Sequence, residues 1–362
     1  METISFAGDG LAPDLIPSEE LADCAATALG EDGSRILSYG TGFGYTPLRE
    51  LLAEQLQVHP YRVLLTNGWL QGFQLLVRKR ARGQPAIIEY PTYHAALSAV
   101  FASGASVIYN DLYEDGPMLQ QLADQIRTSG TKPSLAYTIP TFHNPTGQTL
   151  TREQRWELCR ILLRAGTPIV EDDTLGLLRF EGERIQTLFE MSGQATIYST
   201  SFSYTVAPGL RVGVWVLPND LATELATGAN DAYISPALLG QATIFELMRR
   251  GRFEPHLAQL ISKLKERRNA VVAALSTHVP AASFVRPEGG IFVLLRLAPG
   301  TDARELISRA RGVTALPGAD FGGFPHTIRL NYAEPALDEI EPGIERLATA
   351  LSAEPVAFEG HN

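Results

Sequence analysis

Cysteine is nearly absent from the 362 residues: Cys24 and Cys159 are the only two. Both fall in helix-like segments without metal-ligand spacing, so neither a disulfide framework nor a zinc site is indicated, and no metal is expected. Each is expected as a buried, small apolar residue. Positive charge is also short, with thirty basic residues against forty acidic ones and a formal charge of −10. A nucleic-acid or anionic-membrane surface would need the opposite balance, which leaves a small-molecule partner as the expectation. No apolar run approaches membrane-spanning length, and the opening METISFAGDGLAPDLIPSEE lacks a basic stretch followed by an apolar one. The expected location is therefore cytoplasmic. Repeats and low-complexity tracts are missing as well.

What remains is a chain with 45% hydrophobic residues, enough for one large domain with a sizeable core and a smaller companion. Six short β-branched segments, RVLLTNG, QPAIIEYP, SVIYND, SLAYTIP, TPIVEDD and ATIYSTS, read as strands. They alternate with amphipathic stretches such as PLRELLAEQL, LQGFQLLVRKRA, YHAALSAVFAS and TREQRWELCRILLRAG. That alternation predicts an α/β architecture with a mostly parallel sheet, and the chemistry is expected where the strands end in polar and turn-forming residues. Near residue 250 the pattern changes to one long helix, HLAQLISKLKERRNAVVAALSTH, followed by strand-like SFVRPEGGIFVLLRL and TIRLNYA. The expected division is an N-terminal arm or part of the small domain over 1–40, a large domain over 41–245 and a small C-terminal α+β domain over 246–362.

The turn segments form a series: Tyr39-Gly40 with GYTPLRE, TNG at 66–68, YPTY at 90–93, FHNPTG at 142–147 and VEDD at 170–173. It continues with STSFSYTVAPGLRVG at 199–213, PEGGIF at 287–292, LPG at 316–318 and IRLNYA at 328–333. In this order and spacing the series resembles the class I/II aminotransferases, pyridoxal-phosphate (PLP) proteins of fold type I, over roughly residues 35–350. The resemblance implies a seven-stranded, mainly parallel sheet and a homodimer. The family's helix-turn-helix branch is not expected, because the similar region begins within a few dozen residues of Met1.

The resemblance also assigns roles. Asn144 would donate to the cofactor's ring oxygen, although Asn-Pro is also a common turn dipeptide. Asp172 would pair with the pyridinium nitrogen and keep the ring an electron sink, and its bland alternative is a helix-capping carboxylate. Tyr93 would stack on the ring. Arg211 would bind phosphate with its planar fork, with Ser201 and Ser203 in the same anion cup beside Gly68. Arg329 would grip a substrate α-carboxylate in bidentate fashion. Tyr39 and Gly40 would line a site, in many relatives that of the neighbouring subunit.

Three positions depart from the family's pattern. Where the family's SFSK motif has the lysine that forms a Schiff base with PLP, this chain has Tyr204, and Lys79, Lys132, Lys263 and Lys265 all lie away from the motif segments. Where a tyrosine usually supports the ring oxygen, it has Thr174 and Leu175, and Thr174 could replace at most one hydrogen bond. Trp69 follows TNG in place of a small residue and would crowd the phosphate, unless its ring turns away onto the helix face. Together these changes suggest a repurposed pocket: an enzyme without a covalent cofactor, PLP-free or holding PLP or its amine form PMP non-covalently, acting on a small amino- or keto-acid-like carboxylate. Tyr204 would then be a general acid, a base or a hydrogen-bond donor. Arg211, taken as buried beside Trp69, would need an anionic partner. Two alternatives stand beside this reading: an ordinary PLP-dependent aminotransferase in which Tyr204 is an introduced substitution, and a non-catalytic protein that binds a small ligand.

Overall fold

The computed structural model of the protein describes residues 3–111 and 118–352, so both the first two and the last ten positions of the expected division lie outside the described residues. Seven strands form the main sheet. Their spatial order is Val63–Asn67, Val212–Val216, Ile197–Ser201, Ile169–Asp172, Leu135–Thr138, Ala86–Glu89 and Val107–Asn110. Val212–Val216 runs antiparallel to both neighbours and the other pairings are parallel, so the sheet is mainly parallel as expected.

Side chains alternate across this sheet, as the two-residue repeat of a strand demands. Leu64, Ile88 and Val170 enter one apolar layer with Phe73, Leu97 and Leu225. Val63 and Leu65 enter another with Leu48, Val214 and Ile244, and Ile87 and Ile169 pack with Leu158 and Leu162. Both faces are covered, which is why the strands read as nearly continuous apolar runs. Helix Arg152–Arg164 starts where TREQ predicts it. Thr151 accepts from the Gln154 amide at 3.2 Å while the Gln154 side chain accepts from Thr151 N–H at 2.8 Å. Cys24 and Cys159 are free thiols in buried positions.

A smaller antiparallel sheet of Leu316–Pro317, Thr327–Asn331 and Phe292–Arg296 packs with the long helix Phe253–His278 and with Ile340–Ser352. SFVRPEGGIFVLLRL is thus a strand only over its last third. The N-terminal segment is stitched to this region. Ile4–Ser5 pairs in parallel with Val313–Thr314, Asn331 N–H donates to Phe6 O at 2.9 Å, and Ala12 N–H donates to Ala333 O at 2.8 Å. Between those anchors, residues 7–10 are brought to the C-terminal ends of the main sheet's strands. No described helix is long and apolar enough to cross a membrane.

Candidate active site

A cavity of ≈ 140 Å³ opens at those strand ends. Of the residues singled out from the sequence it brings together Trp69, Tyr93, Asn144, Asp172, Thr174, Ser201, Ser203, Tyr204 and Arg211. Asp172 and Ser201 are the last residues of adjacent parallel strands, so the sheet itself sets their separation.

Asp172 is buried, and its Oδ1 accepts from the Thr174 N–H at 3.0 Å and from the Thr174 hydroxyl. Its Oδ2 accepts from the Tyr137 hydroxyl at 2.9 Å. Burial lifts the carboxyl from its ordinary 3.8 to about 6, and these three donors moderate the rise. Thr174, which the sequence offered as a replacement for at most one hydrogen bond, thus spends both its N–H and its hydroxyl on Asp172. Asn144 is held behind by Arg329, whose Nη1 donates to its Oδ1 over a long 3.4 Å. With the amide oxygen so engaged, the NH₂ is left to donate.

The rim is suited to an anion. Helix Trp69–Arg80 begins at Gly68 with no side-chain cap, leaving first-turn amides for a ligand. Ser201 Oγ donates to Ser203 Oγ at 3.0 Å, and both hydroxyls line the cavity. Gly68 lies directly under the Arg211 guanidinium: a Cβ there would come within 2.1 Å of Nη2. Arg211 is exposed and makes no carboxylate contact among the described residues, donating only to Pro208 O at 3.3 Å. The expected burial of this arginine is thus wrong, because Arg211 closes the Pro208–Leu210 turn just ahead of the strand Val212–Val216, in a left-handed backbone conformation that leaves its side chain exposed.

Trp69 does not crowd the rim. Its indole N–H donates to Ser199 Oγ at 2.8 Å, and its ring stacks on Phe73 at 4.8 Å and 17°. It turns down into the core between Phe73, Tyr137 and Trp215 and forms the cavity floor.

Tyr204 lines the cavity with its ring edge-on to Phe292 at 6.4 Å. Burial first, and then the Asp9 carboxylate, raise its phenol well above 10. It holds its proton and can donate but not act as a base, which removes one of the roles expected for it. Tyr93 is likewise pushed up to about 12, chiefly by burial. None of the four lysines lines the cavity; Lys79 pairs with Glu224 at 3.3 Å, and Lys263 donates to Asp14 O at 2.6 Å.

Arg329 is fully buried and sits just behind the cavity wall, clamped between the rings of Phe292 at 4.4 Å and Phe321 at 4.7 Å. Its expected bidentate carboxylate grip is already engaged from inside: Nη1 contacts Asp9 Oδ1 at 2.6 Å, and Nη2 donates to Ala7 O and Gly8 O at 2.9 and 3.1 Å. Tyr39 and Gly40 do not reach this cavity. Tyr39 is 83% exposed, and Gly40 N–H donates to Ser235 Oγ at 3.1 Å. Asp9, Leu70, Ile139, Pro208 and Phe292 line the cavity and had not been singled out. Four of them lie in segments quoted from the sequence, Leu70 in LQGFQLLVRKRA, Ile139 in SLAYTIP, Pro208 in STSFSYTVAPGLRVG and Phe292 in PEGGIF, whereas no motif pointed to Asp9.

The chain matches the family described as Aminotransferase class I and II over residues 15–347. It belongs to that family. A 2-aminoadipate transaminase of Thermus thermophilus is 34% identical over 359 residues, spanning 96% of this chain and 90% of that protein. Among solved structures, the α-aminoadipate aminotransferase LysN of Thermus thermophilus, complexed with N-(5′-phosphopyridoxyl)-L-leucine, superposes with a TM-score of 0.91. It shares 34% identity and the match covers 96% of this chain and 92% of that one. The kynurenine aminotransferase of Pyrococcus horikoshii, solved with PMP, gives 0.91 at 29% identity, covering 97% and 91%. These relatives overturn two expectations from the sequence. They are aminotransferases, two of them solved with a phosphopyridoxyl compound or PMP, and nothing among them indicates an enzyme repurposed to work without a covalent cofactor. The ordinary aminotransferase, weighed above as an alternative, is the reading they favour.

Proposed function

We propose that the protein is an ordinary PLP-dependent aminotransferase in its construction, built to move an amino group between a small amino acid and a 2-oxo acid, with Tyr204 a substitution at its lysine position. The observation that carries this reading is the pairing of the buried Asp172 carboxylate with an anion-ready rim of Arg211, Ser201, Ser203 and the uncapped helix start at Trp69. When bound, PLP would supply an electron sink that eases ionisation of a substrate Cα–H bond.

The chain's residues divide the remaining work. Asp172, with Tyr137 and Thr174 fixing both of its oxygens, would hold the proton on a ring nitrogen. Asn144 would donate to the ring oxygen, and Tyr93 would cover a ring face. Arg211 and the two serines would neutralise the phosphate. Arg329 would receive the α-carboxylate, orienting the Cα–H bond toward position 204. The exposure of Tyr39 supports a homodimer in which it lines the other subunit's site, and the negative net charge supports a small-molecule substrate.

Tyr204 is where the fit fails. A phenol cannot form an imine with an aldehyde, and with its proton held by burial it cannot take one from Cα. Tyr204→Lys tests the reading directly. A lysine among Tyr93, Phe292 and the cavity floor would be desolvated, which lowers its pKa and favours the nucleophilic amine. The variant should develop Schiff-base absorption on adding PLP and transfer an amino group from L-2-aminoadipate or L-leucine to 2-oxoglutarate, whereas the parent should do neither. A folded Tyr204→Lys protein that gains neither property refutes the proposal.

A further inference from the structure

The carboxylate subsite at Arg329 already contains a carboxylate of the chain itself. Asp9 Oδ1 lies 2.6 Å from Nη1 of an arginine that has no exposed surface, while the Asp9 side chain keeps 33% exposure at the cavity wall. We propose that Asp9 is a built-in anion occupying the place of the substrate carboxylate, so that an incoming carboxylate must displace it. Asp9 thereby sets the affinity for carboxylate-bearing ligands. The proposal rests on the reading of Arg329 as the carboxylate-binding residue.

Three features favour displacement over a fixed structural pair. The backbone around Asp9 is anchored without its side chain: Gly8 N–H donates to Glu334 Oε2 at 2.6 Å, and Asn331 Nδ2 donates to Gly8 O and Gly10 O, each at 3.0 Å. Asp9 can therefore rotate away while the strap stays in place. The guanidinium is also held independently, by two phenyl rings and by the carbonyls of Ala7 and Gly8, so it remains aimed when Asp9 leaves. Finally, Arg329 Nε has no hydrogen-bond partner among the described residues, so Asp9 satisfies this buried cation only in part. A buried guanidinium without any anion would be costly, and Asp9 supplies the counter-charge while no substrate is bound.

Two phosphopyridoxyl probes isolate the effect, because neither needs a lysine at position 204. N-(5′-phosphopyridoxyl)-L-leucine carries the α-carboxylate, and N-(5′-phosphopyridoxyl)-3-methylbutylamine is the same molecule without it. Calorimetric affinities for both are measured on the full chain and on Asp9→Asn, whose amide oxygen still accepts from Arg329 and keeps the strap in place. Removing the competing charge should tighten the leucine probe about ten-fold and leave the amine probe unchanged, as expected when a self-occupied state no longer competes for the site. An unchanged ratio of the two affinities in a folded Asp9→Asn protein overturns the proposal. Adding Arg329→Lys to Asp9→Asn separates the underlying reading: loss of the ten-fold gain supports Arg329 as the receptor. Persistence of the gain means that Asp9 merely repels carboxylates and that Arg329 does not bind them, which overturns the displacement proposal as well. If neither probe binds either protein, the cofactor-pocket reading fails and the proposal falls with it.

Discussion

Asp172 offers a test of the pocket's electrostatics that needs no substrate. Its carboxyl is raised from 3.8 to about 6 because burial disfavours the charged form more than its three hydrogen bonds favour it. Below pH 3.8 the group is protonated in both folded and unfolded chains and imposes no cost. Between 3.8 and about 6 the unfolded chain releases the proton while the folded one keeps it, so the folded state binds more protons and stability falls as pH rises. Above about 6 the loss is complete. The interval, 6 − 3.8, corresponds to about 3 kcal/mol at 1.36 kcal/mol per pH unit.

Asp172→Asn removes that titration. The amide is a poorer match for the Thr174 and Tyr137 donors and should cost about 1–3 kcal/mol, but this term does not vary with pH. The quantity to measure is therefore the difference in unfolding free energy between parent and variant, from urea titrations at pH 4 and pH 7. It should shift by about 2 kcal/mol in favour of the variant on going to pH 7, the remainder of the span having been lost already at pH 4. Neighbouring Asp173, also raised to about 6 by burial and partly by Asp172, would add in the same direction. Parallel pH profiles would refute the assignment of Asp172 as a buried carboxyl that ionises at a cost. PMP binding should move oppositely: a pyridinium proton needs the carboxylate, so the parent's affinity should rise through pH 6 and the variant's should be weak and flat.

Trp69→Ala should cost about 3–5 kcal/mol of stability, because the indole fills the core against Phe73 and Trp215. A variant of parental stability with altered phosphate binding would mean that the ring belongs to the rim after all, as followed by thermal unfolding and PMP titration. Gly68→Ala places a methyl against the Arg211 guanidinium at a residue whose φ is +78°, a backbone strain of about 1–3 kcal/mol. It should weaken PMP and inorganic phosphate alike by displacing Arg211, and unchanged phosphate affinity would remove Arg211 from the anion site.

The strands and their polar ends were legible because a two-sided parallel sheet writes itself as short apolar runs that stop at turn residues. The seventh strand, Val212–Val216, was not recognised. Its VGVWV run adjoins the PGLR turn, and nothing local shows that it lies antiparallel between two strands. Asp9 was invisible for a plainer reason: it meets Arg329 across 320 positions, and only the tertiary fold brings FAGDG beneath the IRLNYA strand. Arg155 shows the same limit. It was not singled out in the TREQRWELCRILLRAG helix, yet it is buried and donates to Leu150 O, Pro140 O, Thr141 Oγ1 and Gln186 O, bracing the loop that carries Asn144.

The misreading of function has a specific physical origin. Trp69, Thr174 and Tyr204 had been weighed as three independent departures in one pocket, and their agreement suggested repurposing. Two of them dissolve on geometry that local rules could have supplied. Trp69 and Phe73 are four residues apart on one helix face, the spacing at which side chains stack, so the indole's turn into the core follows from the sequence once that pairing is noticed. Thr174 follows Asp172 by two residues, the spacing of a side-chain-to-backbone turn, which directs the carboxylate to the Thr174 amide and hydroxyl. Tyr204 then remains as the one departure at a reacting position, beside Leu175, an apolar wall residue where the family usually has a tyrosine. A single substitution in an otherwise cofactor-shaped pocket is weak evidence for a new reaction and fits an altered position in an old one, which is why Tyr204→Lys carries more weight than any comparison of the surrounding residues.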